Sequence, residues 1–172
     1  VDEDVVDVGR YVAIVEIADW LTRHGVEKTI GMNIGGTVKL GALYVTMVPA
    51  LHSSSVQTEN GTITLGEPAG FVIRLQDGGC LYHAGDTQVF GDMRLIGELY
   101  RPDVAMIPIG GHYTMGPFEA SHAVRLLGVR HIVPMHYGTW PTLSGDPGEL
   151  ARLLNDQPDI TVHRLGVGDS LS

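Results

Sequence analysis

The stretch that most constrains the fold is a predicted β-hairpin that delivers an aspartate to the end of its second strand. Residues 71–75 and 80–83 are short apolar strands, and the Asp-Gly-Gly sequence at 77–79 is typical of the tight turn between them. The second strand stops before a glycine, and Asp86 follows at once. We therefore expect the carboxylate of Asp86 to lie at an edge of a sheet.

Two histidines follow apolar strands in the same way. The apolar stretch 45–48 leads to His52, and the apolar stretch 131–135 leads directly to His136. Imidazole and carboxylate groups are common ligands of divalent metals, so three of them at strand ends in one small chain indicate a shared site. Each residue also has an ordinary alternative, which is a polar loop position for either histidine and a turn or helix cap for Asp86.

The remaining pattern predicts a single domain, residues 1–172, with alternating strands and helices. Apart from the hairpin, we expect strands at 11–15, 38–40, 43–48, 104–109, 131–135 and 160–163, helices at 16–24, 93–100, 117–127 and 148–154, and a long loop at 49–70. The early strands form hairpins and the later ones alternate with helices. This mixture favours an α/β fold with mixed sheets over a purely parallel sheet.

Composition excludes several classes of partner. The net charge of −9 and the lack of a basic run disfavour nucleic acid, which requires clustered lysine and arginine. No apolar run reaches the roughly 18 residues that cross a bilayer, so no membrane partner is expected. The single cysteine, Cys80, excludes an internal disulfide and is typical of a reducing cytoplasm. A small-molecule substrate is the expected partner.

Several motifs of the chain resemble those of a known superfamily. Residues 50–55 (Ala-Leu-His-Ser-Ser-Ser), 83–87 (His-Ala-Gly-Asp-Thr) and 134–137 (Pro-Met-His-Tyr) resemble the third, fourth and fifth metal motifs of the metallo-β-lactamase superfamily. Three further motifs restrict the resemblance to one subgroup of this superfamily: residues 31–36 (Gly-Met-Asn-Ile-Gly-Gly), 107–110 (Ile-Pro-Ile-Gly) and 114–117 (Thr-Met-Gly-Pro). They indicate a subgroup of metal-dependent hydrolases related to the ascorbate-6-phosphate lactonases.

This resemblance implies a four-layer αβ/βα sandwich with two divalent metals, usually zinc and in some cases manganese, at one edge of the sheets. His52 would bind the first metal, Asp86 would bridge both, and His136 would bind the second. Asp86 and His136 would thus be the catalytic residues. The implied activity is hydrolysis of an ester, lactone or phosphoester by a metal-bound hydroxide.

One departure from the superfamily is large. Its strongest motif, His-x-His-x-Asp-His, does not occur in these 172 residues. Within the subgroup that motif precedes a helix and strand that resemble residues 5–15, so we expect Val1 to begin just after it and the fold to be N-terminally incomplete. The alternative to a hydrolase is therefore a truncated, non-catalytic domain with an incomplete metal site, which persists by associating with its own copies.

Residues near the three candidate ligands could orient a ligand or contact substrate. These are His83 and Thr87, which flank Asp86, His112 with Tyr113 on a glycine-rich loop, and Tyr137 with Thr139 and Trp140 after the last motif. Packing at a strand end or within a loop is the alternative for each of them. His24, His122, His163 and Cys80 are expected to be structural.

Overall fold

The computed structural model describes residues 9–171. The sequence is acidic over residues 1–9, where an exposed start is expected, and this stretch lies almost wholly outside the described residues. The strands are β1 (Tyr11–Ile14), β2 (Thr29–Met32), β3 (Thr37–Leu40), β4 (Leu43–Pro49), β5 (Ser55–Thr58), β6 (Gly61–Thr64), β7 (Ala69–Leu75), β8 (Cys80–His83), β9 (Val104–Pro108), β10 (His131–Met135) and β11 (Thr161–Val162). The helices are α1 (Val15–Arg23), α2 (Met93–Tyr100), α3 (Pro117–Leu127) and α4 (Pro147–Leu153).

Seven strands form the main sheet, in the order β11-β10-β9-β8-β7-β4-β3. The strands from β8 to β11 are parallel, whereas β3, β4, β7 and β8 pair in antiparallel fashion. The predicted hairpin is confirmed, because β7 pairs with β8 from Phe71 opposite His83 to Arg74 opposite Cys80. The predicted mixed α/β architecture is confirmed with it.

Helices α2, α3 and α4 cover one face of this sheet. Their buried side chains, such as Ile96, Val124 and Leu150, pack against alternate positions of the strands, such as Tyr82 and Ile107. Alternate strand residues point to one face of a sheet, which is why the buried positions recur at every second residue. This cluster is the larger of the two hydrophobic cores.

The other face carries a second, smaller core beneath a two-stranded parallel sheet. Ile14 of β1 and Met32 of β2 pack with Met47 of β4, and Ile17 of α1 and Phe71 of β7 border them. Helix α1 connects β1 to β2 and packs on them, as a parallel crossover requires. The layers therefore follow the order of helices, main sheet, small sheet and helix that an αβ/βα sandwich has.

Local signals place the helix ends. Pro117 opens α3, where its missing N–H costs nothing, and Gly128 ends it in the left-handed conformation at φ 64°. His24 follows α1, and its Nδ1 atom lies 2.7 Å from the carbonyl oxygen of Trp20, so the side chain caps this helix and its predicted structural role is confirmed. In the described residues no helix is long and apolar enough to cross a membrane.

Two elements differ from the prediction. The stretch 49–70, predicted as a loop, contains the antiparallel hairpin β5–β6, in which Thr58 lies opposite Gly61. Glu59 and Asn60 form the turn, although the strands are too polar to stand out by hydrophobic periodicity. Strand β2 was also missed, because it is defined by its pairing with β1 rather than by a local pattern.

Candidate metal centre

The candidate ligands follow strands that run in the same direction. Strands β8, β9 and β10 are parallel neighbours, so their carboxyl ends share one edge of the sheet. Strand β4 is antiparallel to β7, which is antiparallel to β8, so β4 also ends at this edge. His52, Asp86 and His136 come shortly after β4, β8 and β10. Ligands of open α/β sheets commonly bind at the carboxyl ends of strands.

Asp86 and His136 meet across this edge. The Nε2 atom of His136 lies 3.6 Å from Oδ2 of Asp86, and both side chains retain solvent access. That distance is too long for a direct hydrogen bond. It does suit two ligands of one ion, because donor atoms about 2.0–2.1 Å from a tetrahedral zinc are roughly 3.3 Å apart. The donor types and the spacing of this pair therefore fit a divalent metal.

His52 is held nearby by a different set of contacts. Thr87, which is fully buried, accepts a hydrogen bond at Oγ1 from the Leu51 N–H at 2.9 Å. The Gln88 N–H donates to the Leu51 carbonyl at 3.1 Å. These two contacts fasten the backbone just before His52 to the segment that follows Asp86. Thr87 thus helps to hold the segment that carries His52 close to the segment that carries Asp86.

The imidazole of His52 faces backbone carbonyls. Its Nδ1 lies 3.0 Å from the Ser53 oxygen and its Nε2 lies 3.2 Å from the Tyr113 oxygen. A neutral imidazole carries one N–H and can donate to only one of these carbonyls at a time. Among the described residues, no three histidine, cysteine, aspartate or glutamate side chains form a group that could hold a metal. The structure thus pairs Asp86 with His136 and does not complete a three-residue cluster with His52.

The backbone of His136 is unusual. Its φ is 56°, in the left-handed region that residues other than glycine seldom adopt, and its buried Nδ1 has no hydrogen-bond partner in the described structure. Gly110, which follows β9, permits this arrangement. A Cβ at position 110 would lie 2.1 Å from the carbonyl oxygen of His136. No local pattern indicates this role of Gly110, because only the fold brings it against His136.

A second glycine sets the position of Asp86. Gly85 has φ 66°, and a Cβ there would lie 2.6 Å from the Ala69 carbonyl oxygen of the neighbouring strand. The Gly85 N–H donates to Nδ1 of His83 at 3.1 Å, so His83 orients the turn just before Asp86. Burial is the main influence on the pKa of His83 and lowers it, whereas the nearby Asp86 carboxylate acts to raise it.

The glycine-rich loop after β9 contacts both the side chain of His52 and the segment that follows Asp86. His112 also has a left-handed φ of 56°, and its ring meets that of Tyr113 edge to face at 4.4 Å. Tyr113 is exposed, whereas Tyr137 is half-buried against the main core. The loop contacts the Asp86 segment through the Met115 N–H, which donates to the Thr87 carbonyl at 3.3 Å. The predicted roles of these residues in substrate contact stay predictions.

This fold, with its metal-type donors at the carboxyl edge of a mixed sheet, matches a known class. The family described as the beta-lactamase superfamily domain matches residues 6–137, and the chain belongs to it. The chain is 52% identical over 162 residues to a UPF0173 metal-dependent hydrolase of Rubrobacter xylanophilus, covering 93% of this chain and 67% of that protein. The chain thus belongs to this family of metal-dependent hydrolases, as the motifs indicated.

Further relatives of the chain are also metal-dependent hydrolases. A metal-dependent hydrolase of Thermococcus kodakarensis is 45% identical over 170 residues, with 95% of this chain and 73% of that protein covered. The solved structure of a metallo hydrolase from Ignicoccus hospitalis superposes with a TM-score of 0.83 at 39% identity, covering 94% of this chain and 67% of that one. The chain spans about two thirds of the length of the Rubrobacter relative and of the Ignicoccus structure.

Proposed function

We propose that the protein hydrolyses a small-molecule ester, lactone or phosphoester at the edge where Asp86 and His136 meet. The observation that carries this proposal is the separation of 3.6 Å between Oδ2 of Asp86 and Nε2 of His136. The membership of the chain in a family of metal-dependent hydrolases supports a metal between them. His52 is proposed as a third ligand, and two zinc ions are the proposed cofactor, with manganese as an alternative.

Neighbouring groups orient two of the proposed ligands, His52 and Asp86, through hydrogen bonds. His52 can keep its Nδ1–H on the Ser53 carbonyl and turn Nε2, which now faces Tyr113, toward a metal. An N–H held by a carbonyl fixes the tautomer and the orientation of a metal-binding histidine. Asp86 is oriented by the turn that Gly85 and His83 form. A divalent metal bound by these residues supplies a nucleophile from water near neutral pH and stabilises developing negative charge.

The surroundings support a small substrate. The exposed loop with His112 and Tyr113 contacts His52 and is proposed to contact substrate, as is Tyr137. The net charge of −9 argues against nucleic acid as substrate. The single cysteine, which is buried, supports a reducing compartment such as the cytoplasm.

The test compares ligand variants with matched controls. Asp86→Asn and His136→Gln should lower the zinc content measured by mass spectrometry after dialysis. They should also abolish turnover of generic ester, lactone and phosphodiester substrates. Asp92→Asn is a control because Asp92 lies at the start of α2 and makes no capping hydrogen bond. His122→Gln is a control on the exposed side of α3. Zinc content and turnover in the two ligand variants equal to those of the controls would refute the proposed site.

A second candidate function has its own support. In the described residues no group of three metal-binding side chains is assembled, which favours a non-catalytic domain with an incomplete metal site. Such a domain would bind zinc weakly and associate with its own copies. Fusing a segment with the sequence His-x-His-x-Asp-His before residue 9 would then increase bound zinc and decrease self-association in sedimentation experiments. Tight zinc binding and turnover by the unfused chain would rule this candidate out.

A further inference from the structure

A cavity lined by several charged side chains lies at the opposite edge of the main sheet, remote from Asp86 and His136. Its volume is about 520 Å³, and it forms where α2 and α3 end and β9 and β10 begin. Arg101, Arg130 and His131 line it together with Asp103. We propose that this cavity binds a small metabolite through an oxyanion group, a phosphate or a carboxylate, held by Arg101 and Arg130.

The backbone of Arg101 supports a role for its side chain. Arg101 ends α2 in the left-handed conformation, with φ 49° and ψ 60°. The equivalent position after α3, on the same cavity, is Gly128 with φ 64°. Glycine adopts this conformation without strain, whereas other residues do so at a cost. The chain thus carries an arginine at a helix end whose backbone favours glycine, and strain of this kind is common at functional sites.

Capping of the helix does not account for Arg101. The last carbonyl of α2, that of Tyr100, already accepts a hydrogen bond from Nη2 of Arg74 at 2.8 Å and one from the Cys80 thiol at 3.5 Å. The guanidinium of Arg74 therefore compensates the negative end of this helix. Arg101 remains available to an external anion.

Neither cavity arginine is used in an ion pair. Arg94 pairs with Glu98 at 2.8 Å, and Arg125 pairs with Asp156 at 2.7 Å. Within residues 9–171, by contrast, no side-chain hydrogen bond or ion pair is formed by Arg101 or Arg130. Two unpaired guanidinium groups on one cavity are notable in a chain with a net charge of −9.

Asp103, the acidic residue of the cavity, offsets the charge of at most one of the two guanidinium groups. Oδ2 of Asp103 accepts a hydrogen bond from the Cys80 N–H at 2.8 Å, so this carboxylate is used in the fold. His131 adds a further donor, because its Nδ1 lies 3.1 Å from Nε2 of His163. When His163 donates in that contact, His131 carries its own proton on Nε2. The side chains of the cavity thus offer an excess of positive charge and of donors.

The chemistry of the donors defines the ligand. Guanidinium groups match the geometry of phosphate and carboxylate oxygens and bind them through paired hydrogen bonds. The cavity volume lies within the range of roughly 300–1,000 Å³ that is usual for small-molecule sites. The site therefore suits a metabolite with one or two oxyanion groups rather than a bare ion alone.

The experiment measures binding of three probes by calorimetry in a low-salt buffer free of phosphate and carboxylate. The probes are inorganic phosphate, pyrophosphate and citrate. Arg101→Gly and Arg130→Gln should each weaken binding by at least about tenfold, as expected for loss of a charge-assisted hydrogen bond. Arg94→Gln is the control, because Arg94 is exposed on α2, the helix that ends at the cavity, but does not line the cavity. This variant should leave binding of the probes unchanged.

Arg101→Gly is the decisive variant, because glycine suits the left-handed backbone and the protein should melt at the same temperature or higher. Loss of binding with unchanged melting therefore cannot be ascribed to misfolding. Binding of the phosphates alone identifies a phosphate site, and binding of citrate alone identifies a carboxylate site. No binding of any probe, or equal loss in Arg94→Gln, overturns the proposal. Zinc content, measured in parallel, should stay unchanged in Arg101→Gly and so separates this proposal from the hydrolase site.

Discussion

The close approach of Gly110 to His136 yields a sharp prediction about the candidate metal centre. In Gly110→Ala the new Cβ would lie 2.1 Å from the carbonyl oxygen of His136 and 3.2 Å from a methyl group of Leu143. Real Cβ contacts are essentially never shorter than 3.0 Å, so the segment that carries His136 must move. Such a shift changes the distance of 3.6 Å between His136 and Asp86.

The expected magnitude follows from the overlap. Separating the two atoms requires a shift of roughly 1 Å, and overpacking of this kind costs about 1–3 kcal/mol. The melting temperature should fall by about 2–4 °C for each kcal/mol in a domain of this size. A displacement of about 1 Å at a catalytic group can lower activity roughly 100-fold. Zinc affinity and turnover should therefore fall far more than stability alone explains.

Two other glycines provide matched controls. Gly97→Ala has the same overlap, because its Cβ would lie 2.1 Å from the carbonyl oxygen of Leu127, but it disturbs the packing of α2 on α3. Gly91→Ala meets no atom within 4 Å. All three variants would be compared by thermal melting, zinc content and turnover. Gly97→Ala should lose stability and keep zinc, and Gly91→Ala should resemble the unmodified protein.

The reasoning would be refuted by either of two results. One is a Gly110→Ala variant that binds zinc as well as the unmodified protein does. The other is a Gly97→Ala variant that loses zinc to the same extent at the same stability. The second result would mean that zinc retention depends on the stability of the whole domain and not on the position of His136.

Two further predictions concern the stability of the fold. Thr87→Val should cost about 1–3 kcal/mol in chemical denaturation, because the N–H of Leu51 loses the hydroxyl of the buried Thr87 as its acceptor, whereas the exposed Thr139→Val should cost little. A hydrogen bond from Arg125 is the main cause that lowers the pKa of Asp156. The pair therefore stabilises the folded state at pH values above the unfolded pKa of about 3.9, and this stabilisation is lost as the pH falls through the pKa of Asp156 in the folded state. Arg125→Gln should thus lower the melting temperature at pH 7, and the difference should shrink below about pH 3.9; a difference that grows on acidification would contradict this assignment.

The sequence by itself determined the elements whose signals are local. Asp77 and the two glycines after it specify the turn between β7 and β8, and Pro117 and Gly128 specify both ends of α3. Each of these residues acts through its own backbone preferences, so neighbouring residues suffice to predict the result. The position of Asp86 and of His136 at strand ends follows from the same local reasoning.

Tertiary structure alone decided how these residues meet. Strand β2 exists because β1 lies beside it, and its short sequence has no pattern of its own. Nε2 of His52 faces the carbonyl oxygen of Tyr113, a residue 61 positions away, which no local pattern can specify. The apposition of Gly110 and His136 likewise requires two neighbouring strands to be in register. Contacts between distant segments depend on the packing of the whole chain, because backbone preferences of single residues do not encode distance in space.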